Sequence, residues 1–136
     1  MSYNLFLDDF RDTRMAFIST RDKRYVNMNW IIVENYNQFI SYIIKNGVPT
    51  LVSFDHDIGF EHYDLKGCTK FSSWGEYYVS TDREMTGYDC AVWLCEYCLK
   101  NNKKFPEYII HSSNMVGSAN IDGYIKNFLK YYPELK

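Results

Sequence analysis

Short apolar runs that each stop abruptly at acidic or histidine residues constrain this chain more than any other feature. Tyr3 to Leu7 is apolar and β-prone and ends at Asp8-Asp9. Thr50 to Phe54 ends at Asp55-His56-Asp57, and Tyr108 to Ile110 ends at His111-Ser112-Ser113-Asn114. A further run, Trp30 to Val33, lies between Asn29 and Glu34. Runs this short, with β-branched and aromatic residues and polar borders, read as buried strands. Between them lie segments of helical spacing. Phe39, Ile40, Ile43 and Ile44 define a helix over 36–46 with Gly47 placed as its C-terminal cap. Thr86-Gly87-Tyr88-Asp89 opens a helix to about Asn101, with Ala91, Leu94, Cys95 and Cys98 on one face. A last helix runs from Gly117 or Ser118 to Tyr131, with Ile121, Ile125, Phe128 and Leu129 facing inward.

Strands alternating with amphipathic helices predict an α/β domain with a parallel sheet covered on both faces. Right-handed crossovers then bring the C-terminal ends of the strands to one edge, where open α/β sheets bind ligands. Two of the three histidines, His56 and His111, stand at those ends. Residues 60–85, rich in Gly, Ser, Tyr and charge, read as an insertion on a single domain spanning 1–136, with a small hairpin over Phe71 to Ser80.

Bulk properties remove several alternatives. A chain of 136 residues that is 46% hydrophobic can bury a real core. A net charge of −2 without a basic block argues against duplex DNA as a partner, although a few local cations suffice for a small phosphorylated ligand or an RNA end. No run of 18 apolar residues offers a membrane span, and the N-terminus lacks the basic start of a signal peptide. Cys95 and Cys98 form a CxxC, but in a helix interior and without a second ligand pair they read as buried, reduced thiols of a cytoplasmic protein. Oligomeric state is not legible.

Three carboxylates, Asp8, Asp9 and Asp55, would repel one another unless a cation neutralises them, and Mg²⁺ is the natural candidate for an all-oxygen set. Taken singly, Asp8 or Asp9 could instead cap a helix beginning near Arg11, and Asp55 could be a turn residue. His56 and His111 can divide general-base and general-acid roles, with Asp57 orienting His56 or supporting the metal. Ser112 and Asn114, leading into a helix start, could bind phosphate oxygens, and Arg11 could clamp them. His62 in the insertion, and Tyr88 as a base-stacking ring, are weaker signals.

The segments LFLDDFR, SFDHDIG, TGYDCAVWL and HSSNMVGSANI together resemble the cyclic-phosphate-processing receiver domains, a divergent branch of the response-regulator receiver fold. The resemblance covers most of the chain outside residues 60–85. It implies a receiver-like (flavodoxin-like) open parallel sheet of about four to five strands with helices on both faces and an inserted hairpin or loop. It also implies an acidic pocket at Asp8, Asp9 and Asp55, to which His56 and His111 are additions. The implied activity is processing of a cyclic phosphate, at an RNA end or in a cyclic nucleotide, by a metal-assisted phosphoesterase. Ser112 falls where receivers place a Thr or Ser, but the lysine that follows a fifth receiver strand has no counterpart. That departure weighs against a signalling receiver phosphorylated on Asp55. A module that binds a cyclic nucleotide without turning it over is the remaining rival.

Overall fold

The computed structural model describes residues 2–58 and 85–136. Residues 60–84 of the insertion expected at 60–85, with the hairpin at Phe71–Ser80, His62 and Cys68, therefore lie outside the described residues. Along the chain come β1 (Asn4–Leu7), α1 (Thr13–Thr20), α2 (Arg24–Asn27), β2 (Ile31–Val33), α3 (Tyr36–Asn46), β3 (Leu51–Phe54), α4 (Gly87–Lys100), β4 (Glu107–Ile110) and α5 (Met115–Tyr131), with a 3₁₀ turn at Pro133–Leu135. The strands form one parallel sheet in the order β2-β1-β3-β4. This is the receiver-like α/β fold expected, with four strands; no fifth occurs among the described residues.

Capping explains where the helices start and stop. Asn35 accepts from the Gln38 amide to open α3, and Gly47, at φ 92°, closes it with its N–H on the Ile43 carbonyl. Thr86 and Asp89 form a reciprocal capping box at α4. Asn114 caps α5 through the Gly117 amide, so the helix begins at Met115, slightly earlier than its apolar spacing indicates. Asp12, rather than Asp8 or Asp9, caps α1 by accepting from the Met15 amide. That leaves both earlier aspartates free of the helix-capping role.

The alternation of the strands divides two cores. Leu5, Leu7, Val52 and Phe54 pack with Phe39, Ile40 and Ile43 of α3, Ala91, Leu94, Cys95 and Cys98 of α4, and Ile121 and Ile125 of α5. Phe6 points the other way, to Ala16 of α1 and Tyr25 of α2. Helices therefore cover both faces, unequally. Cys90, Cys95 and Cys98 are buried and outside any disulfide, and burial raises the Cys98 thiol to about 12, so the CxxC serves as core. Among the described residues no helix is long and apolar enough to cross a membrane.

Candidate metal and phosphate site

Register assembles the site. Phe6 of β1 pairs with Ser53 of β3, and Ser53 pairs with Ile109 of β4. Side chains two residues apart share a face of a strand, so the next row on that face is Asp8, Asp55 and His111. The hydrogen-bond ladder runs on to this row, with the Asp8 amide donating to Val33 (3.0 Å) and the His111 amide to Phe54 (3.0 Å). The ligand atoms of Asp8, Asp55 and His111 all lie within 4.8 Å of one another. These residues are only 2%, 6% and 3% exposed, so water does little to separate their charges.

Each member is held from behind. Asp8 Oδ1 accepts from the Phe10 (2.8 Å) and Arg11 (2.9 Å) amides, while its Oδ2 lies 2.9 Å from His111 Nε2. Nδ1 of His111 is 2.6 Å from the Ser53 hydroxyl, which is 2.6 Å from the Tyr25 hydroxyl. The imidazole stacks on Phe6 with centroids 4.4 Å apart. Asp55 Oδ1 accepts from the His56 amide (2.8 Å), and the carboxylate also takes a hydrogen bond from the Ser112 side chain.

The two buried carboxylates titrate in opposite directions. Burial pushes Asp8 up, but the hydrogen bonds from His111 and from the Arg11 and Phe10 amides outweigh it, so its carboxyl sits below the ordinary value. For Asp55 burial is the largest influence and the neighbouring Asp8 charge adds to it. Together they hold its carboxyl above the ordinary value despite His111, Ser112 and the His56 amide. A divalent cation between them would relieve that repulsion, and two oxygen donors in a buried pocket suit a hard ion. Asp8, Asp55 and His111 are thus a group that could hold a metal.

A second group stands further out. His56 Nδ1 is 2.9 Å from Asp57 Oδ1, and the Asn114 amide nitrogen lies 3.4 Å from His56 Nδ1 and 3.4–3.5 Å from the Asp57 oxygens. Gly117 forms the floor under the ring, where a Cβ would come 2.4 Å from His56 Cγ. On the other side, a Cβ on Gly87 would meet the Asp55 carbonyl oxygen at 1.7 Å, and the Gly87 amide donates to His56 (2.8 Å). Two helix starts therefore close on the Asp55-His56 turn, and both need glycine. Gly117→Ala is expected to displace the His56 ring. The imidazole resonances of His56 check this, and unchanged resonances would show that the helix start yields without moving the ring.

Of the residues singled out in the sequence, Asp8, Asp55 and His111 converge, and His56, Asp57 and Asn114 form a neighbouring cluster. Asp9 is exposed and outside the metal-competent group; burial, with the Asp8 and Asp57 charges, raises its carboxyl. Ser112 serves Asp55 and accepts from the Asn114 amide (3.0 Å). The Arg11 guanidinium donates to the His111 carbonyl (3.1 Å) and the Ser113 hydroxyl (3.0 Å), so it braces one site loop against another. Ser53 and Tyr25 were not anticipated; Ser53 is the lone polar residue of an otherwise apolar strand, which is the signal that could have found it. A cleft of about 710 Å³ opens beside His56, lined by Thr86, Tyr88, Asp89, Asn120 and Tyr124 among others.

A family model described as the cyclic-phosphate processing Receiver domain matches residues 3–127. No curated protein and no solved structure matches the chain significantly.

Proposed function

The chain belongs to the cyclic-phosphate processing receiver domain family, and on that premise we propose that it is a metal-assisted phosphoesterase that opens a cyclic phosphate. The observation that carries this reading is the buried Asp8–Asp55 carboxylate pair at the sheet edge, one residue before His56. A Mg²⁺ or similar ion held there would supply charge stabilisation for a phosphate oxygen in the transition state. The chain's own groups handle the protons. His56, with Nδ1 held by Asp57, has Nε2 left to take the proton of the attacking water. As the water oxygen bonds to phosphorus, one ring P–O bond breaks and its alkoxide takes up a proton, leaving a monophosphate ester. Among the described residues the Asn114 amide nitrogen makes only long contacts, and it is the donor best placed to take a phosphate oxygen as partner instead.

His111 is 3% exposed with both ring nitrogens engaged. Its role is therefore to support Asp8, and proton exchange with substrate falls to His56. The cleft beside His56 is of a size that takes a nucleoside, and Tyr88 offers a ring there. This fits a nucleotide or RNA-end substrate.

The test is an oligoribonucleotide with a 2′,3′-cyclic phosphate end, incubated with Mg²⁺, with Mn²⁺ and with EDTA. Conversion to a monophosphate that EDTA abolishes is the expected result. Absence of conversion here and with cyclic mono-, di- and trinucleotides would overturn the enzymatic reading in favour of sequestration. A second reading, phosphorylation of Asp55 as in a signalling receiver, draws on the Ser112 hydrogen bond to that carboxylate. A stable Asp55-dependent mass gain after incubation with a small phosphodonor would favour it.

A further inference from the structure

Four polar groups make an unbroken buried line behind the site: the Asp8 carboxylate, the His111 ring, the Ser53 hydroxyl and the Tyr25 hydroxyl, spaced 2.9, 2.6 and 2.6 Å. All four residues are at most 3% exposed, so water does not satisfy what the line leaves open. Counting donors gives the line a direction. The Asp8 carboxylate only accepts, so Nε2 of His111 brings the hydrogen to it. Nδ1 is then bare and accepts from Ser53, whose oxygen accepts from Tyr25, and every proton has a partner.

The opposite arrangement fails the same count. A hydrogen on Nδ1 would point at the Ser53 oxygen. The Ser53 and Tyr25 hydroxyls would then hold two protons with one contact between them. One buried O–H would lack an acceptor among the described residues, which is costly.

We propose that Tyr25 and Ser53 are positioning residues of the site: they hold His111 as the tautomer that donates Nε2–H to Asp8, so that His111 orients this carboxylate and the cation is left to the carboxylate oxygens. Asp8 is then pinned from both ends, Oδ1 by the Phe10 and Arg11 amides and Oδ2 by the imidazole. The site's metal preference follows, since a set without a nitrogen ligand selects Mg²⁺ or Mn²⁺ over Zn²⁺. The metal preference rests on the cation reading above; the tautomer does not.

Two measurements decide it. Long-range ¹⁵N–¹H correlation of the imidazoles is expected to show the His111 hydrogen on Nε2, with a ring N–H protected from exchange. Ser53→Ala should speed that exchange and weaken Mn²⁺ binding, read by calorimetry, about tenfold. Tyr25→Phe should act in the same direction more weakly, and Ser53→Thr, which keeps the hydroxyl, should restore both readouts. A hydrogen on Nδ1 in the wild-type protein would overturn the proposal. So would a Ser53→Ala protein that melts earlier but keeps wild-type exchange and Mn²⁺ affinity, since that is a packing role alone. A wild-type protein that binds no Mn²⁺ would sink the cation reading and leave the imidazole resonances to decide this one.

Discussion

His111→Ala is expected to cost about 3–5 kcal/mol of folding stability, a large share of what a domain of this size has. Three losses add. The imidazole stacked on Phe6 leaves a void beside a fully buried ring. The Ser53 hydroxyl loses its partner 2.6 Å away in a part of the sheet that water does not reach. Asp8 loses the hydrogen bond that counts most against its burial, leaving a buried carboxylate less well compensated. Urea denaturation at neutral pH measures the sum, and a variant within about 1 kcal/mol of wild type would contradict this account. Turnover by this variant must be read against its folded fraction. The sequence alone presents His111 as half of an acid–base pair; its burial makes the substitution a test of the fold as well.

That difference shows how far the residues could be read before the sheet was known. Asp8, Asp55 and His111 each follow an apolar run, so their gathering at one edge needs only strands that run parallel. Choosing between Asp8 and Asp9 needs more. It depends on which residue shares a face with Phe6, and that follows from register with Ser53 and Ile109, which no single strand discloses. Asp9 accordingly falls out of the buried row and His111 enters it. α3 and α4 were legible because both carry a cap and a continuous apolar stripe. α1 has one buried residue, Ala16, and α2 is four residues long, so neither shows a period. Tyr25 was invisible for the same reason: it belongs to a short helix and works through a strand serine 28 positions away. Arg11 reads in isolation as a solvated surface residue and beside the acidic pair as a candidate phosphate clamp, and only the approach of the β1–α1 and β4–α5 loops reveals that it joins them.

Asp55→Asn is the cleaner probe of function, and its two effects are expected to run in opposite directions. Turnover should fall at least about 10³-fold, equivalent to about 4 kcal/mol of lost transition-state stabilisation. In EDTA at neutral pH the same variant should nevertheless be more stable than wild type by about 1–2 kcal/mol. The sign follows from Asp55 itself. Its carboxyl is held above the ordinary value by burial and by the Asp8 charge, so the folded state resists ionising it. Below the ordinary carboxylate pKa the group is protonated in both states and the penalty is absent. It grows as pH rises from there and is complete above the raised value. The asparagine oxygen keeps the contact with the His56 amide, while the charge facing Asp8 is removed. Titrating Mg²⁺ or Mn²⁺ should raise the melting temperature of wild type at pH 7, should do so progressively less in acid, and should leave Asp55→Asn unmoved. Equal stability of the two proteins in EDTA would show that no like-charge strain is stored at the sheet edge. Persistent turnover in Asp55→Asn would show that the strain, though real, is not what the reaction uses.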